Sequence, residues 1–398
     1  MSIVVIAWLR PYAGTMPTAP IPALVRLRNP VMPYAWGSHS ALATLRGLPR
    51  SEQPEAELWV GAHHRAPSVA LLPDGEHPLD SVLHERAPEL LGADLAHRHQ
   101  HRLPFLLKLL AVEQPLSIQV HPDTARAEAG WRREEAMGLA AADPRRSFPD
   151  GLGKPELFVA LAPTTVLCGF RPTSAVDAHL RSVGLDDLPG RAPGERYLAW
   201  LRQGTDVDLH RALAALAGAD IDPELSEHVR AFAALHPGDA SALAPLFLHL
   251  VHLAPGDGLA VEPGTVHAAV RGFGVEVMAA SDNVVRAGLT RKHRALEHFA
   301  DLAVTEPREP QLVAAAREHS DWLRYPTAHP EFALAVAALD GTTVEVDGFA
   351  ALLGVEGAID VQAAGTSQTL TPGNALLVRA DARATLSGHG RVFSCRVP

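Results

Sequence analysis

The chain has 398 residues, a formal net charge of −10, an apolar fraction of 47% and a charged fraction of 20%. These are globular values, long enough for two or three domains at a prior of about 150 residues each, and no apolar run reaches the roughly 20 residues a membrane-spanning helix needs. The acidic balance disfavours a nucleic-acid surface, so an anionic partner must be met by a local basic pocket rather than a global field. Residues 1–20 hold a short apolar run at 3–9 with no basic residue ahead of it, too abbreviated for a secretory signal, and read as an untidy extension. Cys168 and Cys395 lie far apart and form neither a disulfide nor a metal framework, which fits a soluble protein in a reducing cytoplasm.

In chain order, residues 22–75 alternate short apolar runs with Pro and Gly breaks, as strands and loops do, and residues 79–97 carry Leu, Val and Ala at helical spacing. Residues 105–112 form a continuous apolar run expected to be a buried strand, with 116–121 as its neighbour. A helix is expected over 123–139 and strands over 155–161 and 165–170. From 172 the texture changes: Ala and Leu at helical spacing in 174–183, 208–216 and 223–235 predict a helical insertion. Strand character returns at 246–253, punctuated by turns at 255–258 and 262–264. After a Pro- and Glu-rich link, residues 332–397 read as a second small jelly roll, with no His and Glu cluster on its strands.

Within this frame one pair stands out. Gln119 and His121, set two apart on an expected strand, point to one face. Glu156 and His267 lie on further strand-like stretches, in Lys154-Pro155-Glu156 and Pro263-Gly264-Thr265-Val266-His267. Two imidazoles, a carboxylate and an amide oxygen suit zinc or a similar divalent ion, and with no thiolate to close the shell a position is left for water or substrate. The paired motifs are similar to those of cupins, although Glu156 follows His121 by 35 residues where an ordinary cupin keeps its carboxylate close. Only three Lys occur, at 108, 154 and 292, against 32 Arg. An ammonium is a compact donor that a guanidinium fork cannot replace, so these three mark candidate functional positions.

The segments Tyr34-Ala35-Trp36-Gly37-Ser38, Ala56-Glu57-Leu58-Trp59-Val60-Gly61, 104–123, Lys154-Pro155-Glu156 and Ser281-Asp282-Asn283-Val284-Val285-Arg286-Ala287-Gly288 resemble, in order, those of type I mannose-6-phosphate isomerases. The resemblance runs from about Leu24 to the C-terminus and implies a mainly β fold of tandem cupin-type jelly rolls with an α-helical insertion. It implies a discontinuous metal-binding domain over 21–171 and 245–305, a helical domain over 172–244 and a non-catalytic domain over 306–398. It further implies one zinc ion per chain on Gln119, His121, Glu156 and His267, an active-site Arg286, and Ser117, Lys108, Lys292 and Asp282 near the phosphosugar. The proton-transfer group is left between Glu276 and Lys154, each beside an expected ligand strand.

Three departures qualify the resemblance: Gly153 where many relatives have His, Ala269 where Tyr is common, and Thr290-Arg291-Lys292 in place of Thr-Pro-Lys. The first two keep alive a rival, a non-catalytic metal cupin that senses sugar phosphates. An oxygen-using metal cupin is disfavoured, since its shell carries more His and no phosphate-facing lysine. His97, His99 and His101, and His63 with His64, read as solvated loop or turn residues, Trp36 and Trp59 as packing residues, and Glu57 as an orienting carboxylate. A monomer acting on a phosphosugar in the cytoplasm, without nucleic acid or membrane, is the expectation.

Overall fold

The computed structural model describes residues 19–140, 143–317 and 321–398, so the expected N-terminal extension lies, but for its last two residues, outside the described chain. Strand outweighs helix, 34% against 25%, and the sheets are antiparallel, which makes the chain mainly β as expected. Among the described residues no helix is long and apolar enough to cross a membrane. Contact density separates the described residues into two units, one within 19–34, 39–109 and 315–398, the other within 35–38 and 110–314.

In the first unit the long strands Ala350–Ala363 and Arg383–Arg396 pair antiparallel, with Leu353 opposite Phe393. The strand Leu24–Arg28 pairs with Ala375–Val378 on one side and Val69–Leu72 on the other. The N-terminal strand therefore completes the C-terminal sheet, because its alternate residue Leu24 belongs to the same buried cluster as Leu352, Ile359, Val361 and Leu386. The amphipathic stretch predicted at 79–97 is two helices, Leu79–Leu91 and Ala93–Arg98, broken where Gly92 turns to φ 84°.

In the second unit Ile118–Val120 lies between Val285–Gly288 and the start of His267–Ala279. The strand His267–Ala279 is long enough to serve twice: its first residues, through Arg271, pair with Thr164–Phe170 across a register shift between Ala269 and Arg271, and from Gly274 on it pairs with Glu156–Ala160. Alternation sorts the side chains into two cores. Ile118, Val120, Leu167, Val266, Ala268, Val285 and Ala287 pack with Val176, Leu180, Tyr197, Trp200, Val229 and Phe232 of the helices between the strands Thr164–Phe170 and Leu248–Leu253. Phe158, Cys168, Val166, Val251 and Val261 form a separate cluster on the other face. Each Val, Leu, Ile or Phe among them is worth about 1.5–3 kcal/mol when buried, so a slip of one residue would reverse the faces and is strongly opposed.

Those helices are Thr173–Ser182, Pro193–Gln203, Asp206–Ala215 and Pro223–Leu235. The second is absent from the sequence-based expectation. Its Pro193 and Gly194 look like breakers, but a proline at the first helical position loses no hydrogen bond. The predicted helix at 123–139 is Thr124–Ala136, started by the Asp123 side chain, which accepts from the Arg126 N–H.

Candidate metal centre and active site

Antiparallel register puts Arg286, Gln119, His267 and Cys168 in one row, each opposite the next across adjacent strands. Residues so paired share a face, which brings the side chain of Gln119 against that of His267: their amide Nε2 and ring Nε2 lie 3.2 Å apart. His121 continues the same alternation two residues on, and Glu156 enters from the end of Glu156–Ala160. One ligand atom from each of His121, Glu156 and His267 lies within 4.8 Å of the others, and all three residues are buried. The Nε2 of His121 is 3.3 Å from Glu156 Oε1, and that of His267 is 3.5 Å from Glu156 Oε2.

The outward nitrogens are committed elsewhere. His121 Nδ1–H donates to the Asn283 carbonyl at 2.8 Å and His267 Nδ1–H to the Thr265 carbonyl at 2.9 Å. Both rings are thereby held in the tautomer whose Nε2 lone pair faces the cluster, the arrangement a metal ligand needs. Gln119 turns its amide nitrogen to His267, and a half-turn of this isosteric group presents Oε1 instead; Ser117 Oγ is 3.4 Å from that oxygen. A neutral imidazole pair, a carboxylate and an amide form a donor set suited to a borderline divalent ion.

Electrostatics support the neutral His121 ring and the ionised Glu156 carboxylate. Burial, reinforced by the Lys154 ammonium, lowers the His121 ring from its ordinary 6.5 to about 3, against an opposing pull from Glu156. Burial alone would raise Glu156, but Lys154 and the His121 ring outweigh it and hold the carboxyl well below its usual range. Lys154 Nζ donates to Glu156 Oε1 and stands 3.5 Å from His121 Nε2, so the Lys-Pro-Glu motif delivers its ammonium and carboxylate to the same place. Cys168, though in the ligand row, is a thiol pushed up to about 12 by burial and has no thiolate to offer.

The remaining candidates are distributed unevenly. Glu276, half-buried, stands opposite Phe158, two residues along from Glu156, and so shares the carboxylate's face. Asp282 is tied through its backbone N–H to Asp150 Oδ2 at 2.7 Å. Lys292 is exposed on a loop where its N–H donates to Thr290 Oγ1. Lys108 belongs to the other unit, where its buried ammonium is 3.6 Å from Glu57 Oε2 and 5.8 Å from the Trp59 ring centre. Glu57 also accepts from Trp59 Nε1 at 2.5 Å.

The departure at Gly153 has a local cause. A Cβ there would meet the backbone N and Oγ1 of Thr124 at 2.8 Å, so the start of the helix Thr124–Ala136 occupies the space a side chain would need. Gly264, at φ +82°, forms the turn that feeds His267 and donates its N–H to the His121 carbonyl at 2.9 Å. Sequence reasoning missed Asp150, Ser281 and Asn283, a buried network described below. Two of them sit inside the Ser281–Gly288 motif, yet nothing in the sequence pairs them with a residue more than 130 positions away.

A family model described as the phosphomannose isomerase type I catalytic domain matches residues 24–173. The mannose-6-phosphate isomerase of Salmonella typhimurium is 33% identical, with 92% of this chain and 98% of that protein covered. That of Escherichia coli is 34% identical over the same shares, and the human enzyme 28% identical over 88% and 91%. A crystal structure of mannose 6-phosphate isomerase bound with zinc and yttrium superimposes with a TM-score of 0.85 at 32% identity, covering 94% of this chain and 100% of that one. The apo form from Salmonella typhimurium gives the same score over 95% and 100%.

Proposed function

The chain belongs to the type I phosphomannose isomerase family, and from that premise we propose that it is a zinc-dependent aldose–ketose isomerase interconverting D-mannose 6-phosphate and D-fructose 6-phosphate. The observation that carries this reading is the buried His121, Glu156, His267 cluster with both imidazole Nε2 atoms turned inward. With Gln119 Oε1 these residues would hold one zinc ion per chain. When bound, the ion supplies a Lewis acid for the sugar's carbonyl and hydroxyl oxygens.

The chain's own residues divide the remaining work. Isomerisation removes the proton on C2 of the aldose and delivers one to C1, through an enediol, while a second proton passes between O2 and O1. Glu276, a carboxylate on the same face as Glu156, is suited to move the carbon-bound proton. Lys154, an ammonium hydrogen-bonded to Glu156, is suited to donate to sugar oxygen. Arg286, beside Gln119, places a fixed cation where negative charge develops. Ser117, Asp282, Lys108 and Lys292 are assigned to binding the phosphosugar, the lysines as phosphate donors. The C-terminal segment 306–398 is assigned no chemistry. A cytoplasmic monomer, without nucleic acid or membrane partners, completes the proposal.

The deciding experiment is conversion of mannose 6-phosphate to fructose 6-phosphate by the purified chain, before chelation, after it, and after zinc is restored. Turnover that disappears and returns with zinc is the expected result. Folded, zinc-loaded protein that binds the phosphosugar without turnover would replace the enzyme with the sensor.

A further inference from the structure

The loop 143–153 that leads into the Lys-Pro-Glu motif is fastened at two points. At its start the buried Glu134 accepts from the N–H groups of Ser147 and Phe148, both at 2.9 Å, with the Arg146 Nε 3.6 Å away. At its end Asp150, 8% exposed, holds a second loop: Oδ1 accepts from Ser281 Oγ at 2.9 Å and Asn283 Nδ2 at 3.0 Å, and Oδ2 from the Asp282 N–H at 2.7 Å. Asn283 Nδ2 also donates to the Asp150 and Leu152 carbonyls, at 2.9 and 2.7 Å, and the Leu152 carbonyl lies 3.1 Å from Ser281 Oγ as a longer, alternative acceptor for its one proton. Ser281 and Asn283 are fully buried. Three oxygens around one amide nitrogen set its orientation, because the flipped amide would oppose acceptor to acceptor.

The second loop carries the consequence. The Asn283 carbonyl is the acceptor for His121 Nδ1–H, and the first loop runs directly into Lys154 and Glu156. We propose that Asp150 is a positioning residue for the metal shell, acting through the Asn283 carbonyl on the tautomer and aim of His121 and through residues 151–153 on Glu156. This rests on reading His121 and Glu156 as zinc ligands. Groups outside the ligands that orient them typically contribute 10–100-fold in metal affinity, and an anionic anchor bonded to three residues of the neighbouring turn is well placed to do so.

The test compares Asp150→Ala with Glu134→Gln in the full-length chain, reading zinc affinity by chelator competition alongside thermal melting. Asp150→Ala should bind zinc about tenfold more weakly, at the low end of that range because it acts at one remove. Glu134→Gln loosens the other end of the same loop and should lower the melting temperature while leaving zinc affinity unchanged. Equal zinc affinity for Asp150→Ala and the parent would overturn the inference, as would equal weakening by both substitutions. Should Asp150→Ala not fold, Ser281→Ala removes one of the same bonds; a several-fold loss of zinc affinity supports the role and none refutes it. His121→Ala separates the two readings: if it abolishes zinc binding while Asp150→Ala does not weaken it, only this inference fails, and if the parent binds no zinc, both do.

Discussion

Arg286 stands directly opposite Gln119 across the antiparallel pair Ile118–Val120 and Val285–Gly288, so a guanidinium and the amide proposed to complete the metal shell share one face of the sheet. The guanidinium is steadied by its bond from Nη1 to the Val284 carbonyl at 3.2 Å. If Arg286 stabilises charge on the reacting sugar as proposed, Arg286→Ala should lower kcat/KM by about 10²–10³-fold, the usual cost of a lost transition-state donor. Zinc content should stay at the parent level. Near-normal turnover would remove Arg286 from the reaction.

His121→Ala takes out an inward Nε2 and strands the Asn283 carbonyl without its donor. Zinc affinity should fall by at least about 100-fold, more than the loss expected for a group that only orients a ligand, and activity should fall with it. Metal analysis after dialysis is the direct check, and full occupancy would exclude His121 from the shell.

Acid should destabilise the metal-free protein. Burial and then the Lys154 ammonium lower His121 from 6.5 to about 3, so between those values the unfolded chain takes up a proton that the folded chain refuses. Stability is therefore lost as pH falls below 6.5. Glu156, held below its ordinary value by Lys154 and the His121 ring against burial, adds a loss of the same sign further down the acid range. Urea midpoints of chelator-treated protein should decline steadily from about pH 7 to pH 4.5, and less steeply in His121→Gln. Equal slopes for the two proteins would mean that the imidazole is not the group responsible.

Placing at position 153 the His that the family resemblance leads one to expect should harm this chain. The Cβ of Gly153→His would press on Thr124 N and Oγ1 at 2.8 Å, and overpacking of that kind costs about 1–3 kcal/mol. A lowered denaturation midpoint is expected, and a midpoint at or above the parent's would show that the helix start yields freely.

For Lys292 the expectation concerns binding alone. Its exposed loop position suits a phosphate contact made from the surface, and loss of one charge-assisted bond corresponds to roughly a tenfold rise in KM for the phosphosugar, with kcat little changed. Steady-state kinetics of Lys292→Ala decide it; an unchanged KM would free the residue from that role.

The strand-borne candidate ligands were legible as a cluster in the chain because alternation is local: Gln119 and His121 share a face whatever lies around them, and Lys154-Pro155-Glu156 carries its ammonium and carboxylate in three consecutive positions. The mainly β character and three of the four helices between Thr164–Phe170 and Leu248–Leu253 were legible for the same reason, since hydrophobic period reports the element directly. Register was not. That His267 lies opposite Gln119, that Arg286 flanks it on the other side, and that the strand Leu24–Arg28 completes the sheet of Ala350–Ala363 and Arg383–Arg396 depend on pairing between distant segments, chosen by which faces bury together. The anchoring of Asn283 by Asp150 is further still from view: each residue is an ordinary polar side chain in its own neighbourhood, and only folding removes the water that would otherwise satisfy both and leaves them each other.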